Sequence, residues 1–135
     1  MRNLESFDAW KCSRALARAA YTLTTRAPLC RHFVLVDQIR RAAVSIPANI
    51  AEGYALGTTP QFLRCLRIAL GSAAELQPHL DLVCFMKLAP EGEVRELVAL
   101  CDRVLTIILG LIRKLAAKHH SRLPSPVSRS VNGLQ

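Results

Sequence analysis

Histidine, cysteine and carboxylate side chains hold most metals and do most acid–base work, and in this sequence they are too thinly spread for either. The four histidines are His32, His79, His119 and His120. None belongs to an HExxH or ExxH pair, and none stands at ligand spacing from a cysteine. Glu75 and His79 are four residues apart, which puts both on one face of a helix. A carboxylate metal site in a helical bundle needs matching pairs from other helices, and the sequence offers none. The five cysteines, Cys12, Cys30, Cys65, Cys84 and Cys101, are odd in number, widely spaced and without a CxxC. Four of them fall within apolar helical patterns, where a free thiol acts as a small hydrophobe. There is no glycine-rich phosphate loop and no GxSxG turn. The expectation is a reduced, cytoplasmic, non-enzymatic chain with no metal and no cofactor.

One polar line stands out. Ser45, Asn49 and Glu52 recur at steps of four and three beside Pro47, with Arg40 and Arg41 about one turn earlier. Such a line could hold a polar ligand. The preferred reading is that it serves the backbone, because a proline inside a helix leaves a carbonyl without its N–H partner. On that reading Ser45 and Asn49 satisfy carbonyls freed by Pro47, and Glu52 pairs with an arginine.

Four helices are expected to position these residues. The first spans residues 7–26, with Ser6 as N-cap and Asp8 in its first turn, and Ala27-Pro28 ends it. The second starts at residues 30–32 and runs to about Leu56 on the seam Val36, Ile39, Ala43, Ile46 and Ile50. Pro47 lies inside that seam and predicts a kink. Gly57-Thr58-Thr59-Pro60 reads as a stop and restart, with Gly57 in the left-handed cap, Thr59 as N-cap and Pro60 at the first helical position. The third helix follows the seam Phe62, Leu66, Ala69, Ala73, Leu76, Leu80 and Val83, with a bend expected at Pro78. Pro90-Glu91-Gly92-Glu93 opens the fourth, its acids at the positive end of the helix dipole.

Two apolar stripes run along the fourth helix. Val94, Val98, Cys101, Leu105, Ile108, Ile112 and Leu115 form one; Leu97, Leu100, Val104, Ile107 and Leu111 form the other. A bundle helix in a monomer needs one apolar face about 100° wide. The second stripe therefore reads as a subunit interface, or else as the mark of a central helix. The pattern ends at Lys118, so residues 1–118 read as the bundle and 119–135 as a disordered basic Ser/Pro/Arg tail. The longest apolar run, Val104–Ile112, is far below the roughly 18 residues of a membrane span. Met1-Arg2-Asn3-Leu4-Glu5 is unlike a signal peptide.

Hydrophobic residues make up 51% of the chain and aromatics 5%, which favours helix over sheet. Lys and Arg number 18 against 10 Asp and Glu, a net charge of +8. That balance points to a polyanionic partner, RNA or DNA, and most of the cations are arginines, which meet phosphate with two parallel hydrogen bonds. Candidate contacts are the helical pair Arg14 and Arg18, the adjacent Arg40 and Arg41, and Arg64 with Arg67 on the side of the third helix away from its seam. Arg113, Lys114, Lys118 and Arg122 complete the set; from Arg113 onward there is no acid.

The stretch Ile39-Arg40-Arg41-Ala42-Ala43-Val44-Ser45-Ile46-Pro47-Ala48-Asn49-Ile50-Ala51-Glu52-Gly53-Tyr54 resembles the signature of a bacterial family of four-helix bundle proteins. That family was first noted in intervening sequences of large-subunit ribosomal RNA genes. Phe62 to Leu76 resembles its second block, and Phe7-Asp8-Ala9-Trp10-Lys11 its opening. The likeness covers residues 4–118; Pro78 and the Ser/Pro/Arg tail depart from it. It implies an all-α, antiparallel up-down four-helix bundle assembled as a ring-shaped homopentamer. It also implies kinship with the accessory variability determinant of diversity-generating retroelements, a basic pentamer that binds a reverse transcriptase and its template RNA. The expected function is a non-enzymatic, RNA-binding oligomeric scaffold, in its sharper form the accessory partner of a reverse transcriptase in a diversity-generating retroelement. The alternative is an oligomeric protein adaptor without direct nucleic-acid contact.

Overall fold

Apolar residues at steps of three and four along each segment give one buried edge per helix, and four such edges close on a common core. A computed structural model describes residues 4–124. The helices are α1 (Leu4–Thr24), α2 (Phe33–Leu56), α3 (Thr59–Phe85) and α4 (Glu91–Arg122), with a 3-10 turn at Leu29–Arg31 ahead of α2. No strand occurs among the described residues. Each helix packs on its sequence neighbours and α4 closes back on α1, so the four stand up, down, up and down around a square. Leu16, Ile39, Ile46, Leu66, Leu76, Leu80 and Ile108 are all at 0% exposure in the core. Burial of each such side chain contributes about 1.5–3 kcal/mol.

Several helix ends differ from the expected ones for local reasons. Ser6 is inside α1 and buried, not capping it. The helix ends at Thr24, ahead of Ala27-Pro28. There the Thr24 and Thr25 hydroxyls donate back to the carbonyls of Tyr21 and Thr22, at 2.7 Å each. Such local hydroxyl bonds compete with helix continuation. Between α2 and α3, Gly57 takes the left-handed conformation (φ 87°), as glycine can without steric cost. The N-cap is Thr58, not Thr59: its Oγ1 accepts from the Gln61 N–H at 3.4 Å and donates to Gln61 Oε1 at 2.7 Å. Pro60 thus occupies the second helical position, where its missing N–H costs nothing. Pro47 and Pro78 both lie inside helices that continue past them.

The basic segment after Lys118 is not all tail. Helix α4 continues through His119, His120 and Ser121 to Arg122, with basic groups set against the negative end of its dipole. Residues 125–135, the rest of the expected tail, lie outside the described residues.

The two sides of the bundle pack differently. Gly53 of α2 lies so close to α3 that a Cβ there would meet Cys65 Cβ at 2.6 Å and Phe62 Cα at 3.3 Å. Between α1 and α4 the seam is open. A groove of about 740 Å³ lies along the Glu5–Ala15 stretch of α1 and the Arg103–Lys114 stretch of α4. A second of about 440 Å³ lies beyond it, lined by Leu23, Leu97 and Leu100 among others.

Candidate nucleic-acid interface

Up-down topology decides which charges share an end. Arg26 pairs with Glu93 at one end of the α1–α4 seam and Lys114 with Glu5 at the other. Both pairs obey one antiparallel register, which sets mid-height near residue 15 of α1 and Arg103 of α4. The Arg40–Thr24 and Ser72–Ser45 contacts carry that level to about residue 46 of α2 and residue 71 of α3. Below it, at the end where α4 finishes, lie Lys11 and Arg14 on α1, Arg64 and Arg67 on α3, and Arg113, Lys114, Lys118 and Arg122 on α4. Among the described residues only Glu5, Asp8 and Glu52 oppose them, which leaves a net +5 at this end. Above mid-height the described cations and acids balance, seven against seven, with Arg103 standing at the level itself. The positive charge of the bundle is therefore concentrated at one end.

The candidate cations do not stand alike. Arg64, Arg67, Arg113, Lys118 and Arg122 are exposed and have no ion-pair partner among the described residues. Arg18 is equally exposed but lies above mid-height. Arg14 stacks on Trp10, its guanidinium 4.5 Å from the ring centroid. Arg40 is committed to the fold: its Nε donates to Thr24 Oγ1 at 2.9 Å and its guanidinium covers the Tyr21 ring at 4.2 Å. Arg41 pairs with Asp37 at 3.0 Å, an exposed contact worth under about 1 kcal/mol. Arg40 and Arg41 thus stand apart from the basic end. Lys11 and Arg103, which line the α1–α4 groove, were not among the candidates. Antiparallel register could have placed both.

The second stripe of α4 is largely spent inside the protomer. Leu97, Val104 and Leu111 are buried at 4%, 1% and 4% exposure, because α4 packs against both α3 and α1, and they have almost no area to offer another subunit. Leu100 and Ile107 are half-buried and reach the grooves along the α1 seam. The large apolar side chains left most exposed are elsewhere. Phe33 and Val34 at the start of α2 (79% each) and Phe85 at the end of α3 (85%) crown the neutral end.

The polar line of α2 turns inward to α3. Asn49 Nδ2 donates to the Ser45 carbonyl at 2.8 Å and to Ser45 Oγ at 3.0 Å, and Ser72 of α3 donates to Ser45 Oγ at 2.8 Å. The carbonyl that Pro47 deprives of its N–H belongs to Ala43, one turn earlier, so Asn49 serves Ser45 instead. Glu52 is exposed with no ion-pair partner among the described residues. This cluster ties helices together and leaves little to hold a ligand. The Glu75–His79 pair is a single contact of 3.5 Å on the surface of α3. No group of three or more His, Cys, Asp or Glu among the described residues could hold a metal ion. Cys101 is sealed in the core, its Sγ donating to the Ala73 carbonyl at 3.4 Å. Burial, with a smaller contribution from the Asp102 charge, pushes its thiol up to about 12. No described helix is long and apolar enough to cross a membrane.

Fold and charge together define a class: an all-helical up-down bundle with one positively charged end. Residues 5–110 match the family model described as 23S rRNA-intervening sequence protein, and the chain belongs to that family. Its fold is similar to the crystal structure of a protein of unknown function from the S23 ribosomal protein family of Bacteroides thetaiotaomicron. The TM-score is 0.74 at 22% identity, over 82% of this chain and 99% of that one. At that identity the likeness concerns the fold alone. No curated protein matches the chain.

Proposed function

We propose that this protein is a non-enzymatic, cytoplasmic scaffold that binds RNA through the end of the bundle where α4 finishes. The observation that carries the reading is the segregation of charge, a net +5 below mid-height against zero above it among the described residues. A cluster of that kind attracts phosphate over a Debye length and raises encounter rates with polyanions. Five of its cations, Arg64, Arg67, Arg113, Lys118 and Arg122, have no acid to release before they meet a phosphate. Membership in a family named for ribosomal RNA intervening sequences fits an RNA context. The more specific reading is an accessory partner of a reverse transcriptase in a diversity-generating retroelement, working as a homopentameric ring.

Self-association suits the same molecule. Exposed Phe33, Val34 and Phe85 sit where net charge vanishes, so copies can meet there without like-charge repulsion. The half-buried Leu100 and Ile107 offer a second, smaller contact along the α1 seam. In an oligomer each basic end repeats, and modest single-site affinities multiply by avidity.

RNA binding across a salt series, with the oligomer mass recorded in the same buffer, tests this. Affinity should fall steeply with salt. Replacing Arg113, Lys118 and Arg122 by Ala should flatten the log–log slope by roughly 2, at about 0.7 per lost contact to single strands. An intact oligomer that binds no RNA would leave the second reading, a protein adaptor working through the apolar crown.

A further inference from the structure

We propose that the crevice between the start of α1 and the end of α2 receives a single unpaired nucleobase, held by stacking; this rests on the RNA-binding reading and assigns it a ligand geometry. The crevice encloses about 190 Å³ and is lined by Ser6, Phe7, Trp10, Ile50, Ala51 and Tyr54. The chain has seven aromatic residues in all, four Phe, two Tyr and one Trp, and three of them meet here. So dense a use of a scarce residue type singles out this spot from the rest of the surface.

The rings are held in place before any ligand arrives. Phe7 and Trp10 lie with centroids 5.9 Å apart at 35°, one helical turn from each other on α1. Tyr54 is wedged edge-on against Phe62 at 6.3 Å, and Phe62 is itself buried at 2% exposure. A preformed aromatic slot loses little side-chain entropy when a flat ring enters. Apart from the Ser6 hydroxyl, the Tyr54 phenol and the Trp10 indole N–H, the lining side chains are apolar. A base would therefore be bound by its faces while its hydrogen-bonding edge stays toward water. Stacking of that kind is tolerant of sequence, since every base has a π-face.

Charge selects the occupant. The crevice opens in the half of the bundle that carries the net +5. Arg14 stacks on Trp10 at 4.5 Å, so a guanidinium lies within one ring of the crevice, whereas Lys11 lines the α1–α4 groove on another side of the helix. An apolar slot beside a guanidinium held on Trp10 matches a nucleotide, whose base is flat and whose phosphate is anionic. It suits unpaired RNA only, because a base inside a duplex shows its faces to its neighbours and not to a protein.

Trp10 is the one tryptophan, so its fluorescence reports the crevice directly. The full chain is titrated with oligoadenylate, with an abasic ribose-phosphate strand of equal length, and with an RNA duplex. Oligoadenylate should quench Trp10 and bind roughly 5–150-fold more tightly than the abasic strand, the worth of stacking one base. The duplex should bind without quenching. Ala51→Leu fills the crevice from an exposed position and keeps Trp10; with helicity unchanged, it should abolish both the quench and the preference. Equal binding of oligoadenylate and the abasic strand without quenching would overturn the crevice and leave the basic end as the RNA site. Quenching that survives in Ala51→Leu would overturn it too. If no strand binds at all, the crevice and the RNA-binding reading fall together.

Discussion

Replacing Gly53 by Ala sets two effects of opposite sign against each other. An alanine inside a helix is favoured over glycine by about 1 kcal/mol, through lost backbone freedom in the unfolded chain. Against this, the new methyl would stand 2.6 Å from Cys65 Cβ and 3.3 Å from Phe62 Cα. Carbon atoms pack best at about 3.5–4.0 Å, so α2 and α3 must separate by roughly 1 Å. No rotamer change relieves the clash, because both obstacles are fixed to the α3 backbone. Separation also strains the Ser45–Ser72 hydrogen bond and the Tyr54–Phe62 contact, which span the same seam. Overpacking of this kind costs about 1–3 kcal/mol, and here the upper part of that range applies. The expected net loss is about 1–2 kcal/mol. Gly71→Ala in α3 is the control: nothing lies within 4 Å of its new Cβ, so the propensity gain of about 1 kcal/mol stands alone. Urea unfolding of both variants at one protein concentration should place their midpoints on opposite sides of the wild type, with equal m-values. Adding Cys65→Gly to Gly53→Ala should recover part of the loss as a coupling energy. A Gly53→Ala protein as stable as Gly71→Ala would refute the close-approach reasoning.

Three further outcomes follow from contacts already described. Ser45→Ala leaves the Ser72 hydroxyl and one Asn49 amide hydrogen without their acceptor, and thermal unfolding should show a loss of about 1–2 kcal/mol. Arg40→Ala should destabilise by about 1 kcal/mol while leaving RNA affinity unchanged; Arg113→Ala should do the reverse, as parallel melting and binding curves would show. Cys101 holds its proton in the folded state up to about pH 12, whereas unfolding returns it to its ordinary value of 9.0. Between those values the unfolded state has lost a proton that the native state keeps, so stability falls with rising pH by roughly a kcal/mol per unit. Denaturant midpoints of wild type and Cys101→Ala, compared from pH 8 to 11, should diverge in slope by that amount.

Much of the fold is written as periodicity. The seams Val36–Ile39–Ala43–Ile46–Ile50 and Phe62–Leu66–Ala69–Ala73 are buried as spaced, because a 3.6-residue repeat leaves one face to bury. Details governed by single hydrogen bonds were harder to read. Thr58 and Thr59 are equivalent as letters, and only the Gln61 contact shows which one caps. The double stripe of α4 was visible, but its share between core and surface depends on how α1 leans against it. Arg40 looked like a phosphate ligand because a charge pattern carries no record of the Tyr21 ring beneath it. The basic end, by contrast, was within reach: alternating helix direction and counting charge by height would have found it. Gly53 gave no signal, since a glycine near a helix end more often marks a cap than a contact.

A rod charged at one end turns as it nears a polyanion. The bundle is about 40 Å long, from 27 residues of α3 at about 1.5 Å each, and about 20 Å across, from helices about 10 Å apart and about 10 Å thick. Standing upright it would cover about six nucleotides of a stacked strand at about 3.4 Å each; lying down it would cover about twelve. The stoichiometry at saturation is therefore a measure of posture. An upright array also lifts the ring of Phe85 and Phe33 clear of the nucleic acid, some 40 Å above it by the same helical rise, so that whatever grips the crown never competes with the strand for room.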